Sequence, residues 1–234
     1  IRISCFSGKY GETEYFDCYC RVETDDITES NLATAIDNGF IKISLRLLDK
    51  LGLRLTLDMY EKLCDKFYLE SDLVLELVKI FFQVNTADTS HFVNLIKREH
   101  LHDRSTSCLF LLDTGNIVID ENILMLLSKC ITGRIILPYV ANKYNIYPTE
   151  QCLITSIEYG YDSPVETILD LGIKVTDKVL DTLYEYGTCQ DVSASSYIPC
   201  MIKNGAPITD KLLSVLFRCC YGPVPFEYVF KLRS

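Results

Sequence analysis

Two segments of the chain repeat one another at a spacing of 33 residues. LDLGIKVTDKVL runs from 169 to 180 and IKNGAPITDKLL from 202 to 213, and both contain a glycine, the triplet Thr-Asp-Lys and a leucine at equivalent positions. A fixed period of this length is typical of repeat architectures, in which each repeat is one supersecondary unit and neighbouring repeats stack. The spacing therefore predicts that much of this 234-residue chain folds as a stack of similar units.

The same pattern, an apolar pair, a glycine, an apolar link and a capped helix start, recurs at 47–63, 111–127 and 143–154. In the last segment Asn145 replaces the glycine, and asparagine is the next most tolerant residue of a positive φ. Thr or Asp caps the first helix, and the glycine ends the second helix of the preceding unit. Each unit is thus predicted to be a helix, a tight turn, a second helix and a short extended link. An irregular helical domain with coincidental glycine spacing is the alternative, and the recurrence of one pattern at five places favours the repeat.

The predicted organisation is a repeat array with a different segment at each end. Residues 1–24 alternate apolar and polar side chains and predict a β-hairpin, which is either a cap for the first repeat or the tail of an upstream domain. Two prolines break the helical pattern near the C-terminus, so 223–234 is either a cap segment or packs against a continuation of the chain. The unit 85–114 has the least regular link, because that link contains no glycine. The seven units are placed at 25–51, 52–84, 85–114, 115–144, 145–171, 172–204 and 205–234.

The segment GYDSPVETILDLG at 160–172 carries the most specific pattern in the chain. Its two glycines are Gly160 and Gly172, and between them lie Val165 and the apolar pair Ile168 and Leu169. This segment resembles the second helix of an ankyrin repeat. The first helix is similar as well, because residues of the expected apolar or small type precede the mid-repeat glycine by seven, four and three places: Leu153, Ser156 and Ile157 before Gly160, Leu32, Ala35 and Ile36 before Gly39, and Leu180, Leu183 and Tyr184 before Gly187.

The resemblance covers about 25–222 and implies an all-α solenoid of helix-turn-helix units. The Thr-Pro-Leu-His turn of typical ankyrin repeats does not occur in the sequence, and several units are short, so the hairpins between repeats are expected to be trimmed. Degenerate repeats rich in cysteine and tyrosine resemble those encoded by large DNA viruses, which would place the protein in an infected host cell.

The composition narrows the classes of partner. A net charge of −9 argues against nucleic acid and against an anionic membrane surface, since both attract clustered Lys and Arg. The sequence has no run of about 18 apolar residues that would predict a membrane-spanning helix. The 11 cysteines lie mostly in apolar helical stretches, as buried thiols do, and indicate a reducing compartment, cytoplasm or nucleus.

Residue patterns typical of catalysis are weak. Of the three histidines, His100 and His102 are two places apart, so they would not share a helix face. No GxSxG, P-loop or GxGxxG motif occurs, and no cysteine pairs have zinc-finger spacing. Pairs of carboxylates such as Asp120 with Glu121 lie at predicted helix starts, where capping and the helix dipole account for them. We therefore expect no enzyme activity, no cofactor and no metal site.

An ankyrin-like array implies a function in protein recognition. Its first helices and the links between repeats would line a concave face on which a partner protein binds, with the chain a monomer or part of a hetero-complex. The alternative is a structural or assembly subunit of a larger complex or viral particle. For Tyr184, a core position is the competing assignment. The candidate partner-binding residues are Tyr147, Glu150, Gln151, Lys174, Asp177, Lys178, Asp181, Tyr184, Asp210, Lys211 and Ser214.

Overall fold

The computed structural model describes residues 28–38, 40–64, 71–97, 104–160, 164–186 and 193–219. Those residues form thirteen helices and no strand, so the predicted all-α class is confirmed for them. Four predictions lie outside the described residues: the β-hairpin at 1–24, the C-terminal segment 223–234, and the environments of His100 and His102.

The chain divides into two compact units, Ile1–Val84 and Asn85–Ser234. In the first unit, α1 packs on α2 and α3, while α4 packs on α2 and α3, so two helix pairs lie side by side. Leu32, Leu63 and Leu77 are buried in this unit, and the ring of Tyr60 stacks on that of Phe81 with centroids 4.5 Å apart. The helices are α1 (Glu29–Asp37), α2 (Ile41–Leu51), α3 (Leu57–Cys64) and α4 (Ser71–Phe82).

The second unit continues the same arrangement in two layers. The first helices of successive pairs, α5, α7, α9, α11 and α13, each pack on the next, and so do the second helices α6, α8, α10 and α12. This nearest-neighbour packing is consistent with an α-helical repeat array. The helices are α5 (Thr89–Lys97), α6 (Ser105–Thr114), α7 (Glu121–Leu127), α8 (Gly133–Tyr144), α9 (Glu150–Tyr159), α10 (Val165–Asp170), α11 (Asp177–Tyr186), α12 (Ser193–Lys203) and α13 (Asp210–Cys219).

The glycines of the two matching segments adopt the backbone conformation that ends a helix. Gly172 has φ of 90° and Gly205 has φ of 85°, where a β-carbon is disfavoured. Asn145 replaces glycine after α8 with φ of 56°, as the sequence pattern predicts. In all three places the second helix of one pair therefore stops at a left-handed residue, and a short link leads to the next pair.

Several of the helices that follow a link begin at a polar cap, although Thr149 before α9 makes no side-chain cap bond. The Oγ1 of Thr176 accepts a hydrogen bond from the Val179 amide at 3.4 Å, and the side chain of Asp120 accepts from the Ile123 amide at 2.9 Å. The link before α5 has no glycine, and Asp88 caps this helix. Its carboxylate accepts hydrogen bonds from the Ser90 hydroxyl at 2.7 Å and from the Ser90 amide at 2.9 Å. These bonds satisfy amide groups that have no partner within the first turn of a helix.

Gly115 departs from the predicted left-handed conformation. Its φ is −98°, which any residue adopts, and the reason for glycine is a close approach between two links. The amide of Asn116 donates to the carbonyl of Ala87 at 2.9 Å, and Asp88 and Asn116 form an isolated parallel β-bridge. A β-carbon on Gly115 would lie 2.8 Å from the β-carbon of Ala87, so a side chain would separate the links.

The links share an alternation of buried and exposed residues. The residue directly before each helix cap is buried or half-buried, as at Leu55, Pro148, Val175 and Ile208, so that it anchors the link. The residue one place earlier is exposed in every link of this type, and we call these five residues the link tips. They are Arg54, Val118, Tyr147, Lys174 and Pro207.

Candidate protein-binding surface

The helices α9, α11 and α13 form a continuous row because each packs on the next. Leu153, Leu180 and Leu212 are at most 1% exposed and hold the helices against the core. Each such side chain contributes on the order of 1.5–3 kcal/mol when it is fully buried. The opposite sides of these helices carry the polar side chains. We define the first-helix face as the exposed and half-buried residues of α9, α11 and α13 together with the link tips Tyr147 and Lys174.

All eleven predicted binding residues lie on this face. Glu150 and Lys211 are half-buried, and the other nine are exposed. Each helix has a carboxylate at its first residue, where the partial positive charge of the helix N-terminus stabilises an anion. These first residues are Glu150, Asp177 and Asp210.

Polar contacts between helices connect several of the predicted residues. The Nζ of Lys178 donates to the Oε1 of Gln151 at 3.2 Å, which joins α11 to α9. The Nζ of Lys211 lies 2.7 Å from the Oδ1 of Asp181 and joins α13 to α11. The Thr176 hydroxyl also donates to Glu150. Such exposed pairs add little stability, and they bring side chains of neighbouring helices together on the face.

Other predicted residues are exposed at the surface. Tyr147, at a link tip, is 49% exposed, and Tyr184, on α11, is 40% exposed, so Tyr184 is not a core residue. Neither Lys174 nor Asp177 has a side-chain hydrogen bond or ion pair with the described residues. The Ser214 hydroxyl bonds to the carbonyl of Asp210 at 2.8 Å within its own helix, so it is already satisfied.

The C-terminal ends of α9 and α11 carry residues that sequence reasoning missed. Tyr159 is 62% exposed and Tyr186 is 46% exposed, and each follows an exposed glutamate, Glu158 or Glu185. The Nζ of Lys129, which comes just after α7, lies 6.0 Å from the centroid of the Tyr159 ring. The available signal is the triplet EYG, which occurs at 158–160 and again at 185–187.

A second missed cluster lies between the second helices α6 and α8. The Nζ of Lys143 is 2.5 Å from the Oδ1 of Asp113, and the Tyr139 hydroxyl donates to the same carboxylate. The hydrogen bond from Lys143 lowers the pKa of Asp113, and the carboxylate raises the pKa of Lys143 and of Tyr139. All three pKa values move away from neutrality, so the cluster keeps fixed charges near pH 7 and acts as a link between helices.

At the start of α6, two buried polar atoms have no hydrogen-bond partner among the described residues. Arg104 is 5% exposed and its Nη1 is unsatisfied, as is the hydroxyl of Ser107. A buried guanidinium with an unsatisfied nitrogen carries a desolvation cost.

The described residues contain neither a metal-binding cluster nor a membrane-spanning helix. No three His, Cys, Asp or Glu side chains in that part of the chain are placed to hold a metal ion. None of the helices seen there has both the length and the apolar character needed to cross a membrane. Comparison of the chain with protein-family models, with curated proteins and with solved structures found no match.

Proposed function

We propose that the chain is an ankyrin-like repeat adaptor without enzyme activity that binds a partner protein on its first-helix face. The observation that carries the proposal is the row of polar and aromatic side chains across α9, α11 and α13, which the core does not use. The buried apolar residues of the same helices already account for folding, whereas Tyr147 and Tyr184 are exposed.

The chemistry of the face suits protein recognition. Tyrosine buries a large amphipathic ring on binding and loses little conformational entropy, and it is frequent among the residues that dominate binding energy. Tyr147 and Tyr184 supply such exposed rings. The contacts Lys178–Gln151 and Asp181–Lys211 restrict long side chains before a partner arrives, and this restriction lowers the entropy cost of binding.

The ankyrin-like architecture is part of the proposal. Pairs of helices, a left-handed residue such as Gly172 after the second helix, and a short link to the next pair support it. In such an array the first helices and the link tips line a concave face. The assignment to a virus, and to the cytoplasm or nucleus of an infected cell, rests on the sequence resemblance.

Affinity capture with matched charge variants tests the proposal. Tagged full-length chain is used to capture proteins from a cell lysate, and each captured protein is quantified by mass spectrometry. The variant Asp177→Lys with Asp210→Lys changes the first-helix face, and we expect it to lose its specific partner. The control, Glu166→Lys with Asp170→Lys, makes the same charge change on α10 and should retain that partner. Equal capture by the two variants would contradict the use of this face.

Light scattering after size-exclusion chromatography separates the adaptor from the assembly-subunit alternative. We expect a monomer at micromolar concentration. A self-assembled species that persists on dilution would favour the structural subunit. Circular dichroism of both charge variants should match the wild-type protein, which excludes unfolding as the cause of lost capture.

A further inference from the structure

The first helices α7, α9 and α11 are aligned to within one place when residues are counted from each helix cap. The Ser156 hydroxyl of α9 bonds at 2.7 Å to the carbonyl of Ser128, which is one place later in its own repeat. Lys129 is one place earlier than Tyr159, and Gln151 and its α11 partner Lys178 are at the same place. This register identifies equivalent positions on successive first helices.

The register reveals a change of charge at the C-terminal ends of these helices. Tyr159 on α9 and Tyr186 on α11 are equivalent, and Lys129 of the preceding repeat lies over the Tyr159 ring. The residue of α9 equivalent to Lys129 is Glu158. The register therefore places a carboxylate beside Tyr186 where the preceding repeat has an amine beside Tyr159.

The surroundings of Tyr186 favour a cation. Glu158 and Glu185 are both exposed, and the ring of Tyr186 is 46% exposed. The end of a helix carries a partial negative charge, and the face of an aromatic ring attracts a cation. Within the described ranges no lysine or arginine lies over this ring, whereas Lys129 occupies the equivalent place over Tyr159. The Lys129 amine at Tyr159 thus indicates that the equivalent position at Tyr186 accepts a cation.

We propose that the partner protein places an arginine side chain on the Tyr186 ring, between Glu158 and Glu185. Arginine fits better than lysine, because its planar guanidinium stacks on an aromatic ring while its N–H groups pair with carboxylates on either side. This inference rests on the proposed function, since it names the chemistry that the partner presents to the first-helix face.

The probe is a fluorescent, end-capped hexa-arginine peptide, and its binding to the full chain is followed by anisotropy. Tyr186→Leu and Glu185→Gln should each weaken binding by on the order of threefold to tenfold, because each removes one favourable contact with the guanidinium. The matched controls are Tyr159→Leu, whose ring already has the Lys129 amine 6.0 Å from its centroid, and Glu166→Gln, which removes one carboxylate from α10. Both controls should bind as the wild type does.

Two further measurements sharpen the test. A hexa-citrulline peptide has nearly the same shape without the charge and should not bind. Lys129→Ala removes the amine that lies near the Tyr159 ring, so the number of bound peptides should rise from one to two. Equal losses for Tyr159→Leu and Tyr186→Leu, or equal binding of the citrulline peptide, would overturn the inference. If hexa-arginine fails to bind while the Asp177→Lys and Asp210→Lys variant still loses its captured partner, the arginine inference falls and the proposed function stands.

Discussion

Replacing Ser156 with alanine should destabilise the protein, because its hydroxyl connects two neighbouring repeats. Ser156 is completely buried in α9, and its Oγ donates to the carbonyl of Ser128 at 2.7 Å. That carbonyl accepts no backbone amide from the described residues. The substitution therefore removes the hydrogen bond and leaves a buried acceptor without a donor.

The expected cost follows from these two effects. A typical intramolecular hydrogen bond contributes about 1 kcal/mol, and a buried acceptor left without a partner costs about 1–3 kcal/mol. We expect the Ser156→Ala variant to lose about 2 kcal/mol of unfolding free energy. For a domain of this size, such a loss lowers the melting temperature by roughly 4–8 °C.

Ser128→Ala is the matched control, since Ser128 is also completely buried. Its hydroxyl donates to the carbonyl of Leu124 at 2.7 Å, but that carbonyl also accepts the Ser128 amide at 2.9 Å and stays satisfied without the hydroxyl. We expect this variant to lose at most about 0.5 kcal/mol. Urea unfolding followed by far-ultraviolet circular dichroism measures both variants. Losses that agree within about 0.3 kcal/mol would refute the reasoning from the orphaned carbonyl.

Four other substitutions test the links, the caps and the buried arginine. Gly172→Ala should lower the unfolding free energy measured in urea by about 1 kcal/mol, because Gly172 has a positive φ. Asn145→Gly should raise it by up to about 1 kcal/mol, because Asn145 also has a positive φ and glycine tolerates it better. The opposite order would contradict the assigned conformations. Hydrogen bonds from the Ser90 hydroxyl and then the His91 amide lower the pKa of Asp88 from 3.8 to about 2, so the cap stabilises the fold fully above pH 3.8 and loses this effect as the pH falls towards 2. Asp88→Ala should therefore cost about 1 kcal/mol at pH 7, and the difference from wild type should shrink in urea titrations between pH 4 and pH 2; a constant difference would contradict this account. Arg104→Met should leave the melting temperature unchanged or raise it, since it replaces a buried guanidinium with an apolar chain, and a fall of several degrees would show that the guanidinium has a stabilising partner.

The helix starts and ends were predictable because local chemistry determines them. A threonine or aspartate at the beginning of an apolar helical pattern can cap the helix, as Thr176 and Asp120 do, whereas Thr149 makes no such bond. A glycine or asparagine after the pattern accepts a positive φ, as at Gly172 and Asn145. Both effects depend on a few consecutive residues, so a single sequence contains the information.

Contacts between repeats were not predictable in the same way. Lys129, whose amine lies over the Tyr159 ring, is 30 places earlier in the sequence, and its position depends on how α7 and α9 are aligned. Gly115 looked like a helix terminator in sequence, but its role depends on the approach of the link that contains Ala87. The exposed or half-buried positions of the candidate residues could be predicted from the sequence, whereas the pairing of their side chains required the register of neighbouring helices.

The link tips have a consequence for how such a chain can change. Arginine, valine, tyrosine, lysine and proline occupy one and the same backbone position in five successive or nearby repeats, and all five are exposed. Because the adjoining buried or half-buried residue anchors each link, the exposed residue at the tip contributes little to folding. New binding specificities can therefore arise by substitution at the tips, one repeat at a time, while the stability of the scaffold is inherited unchanged.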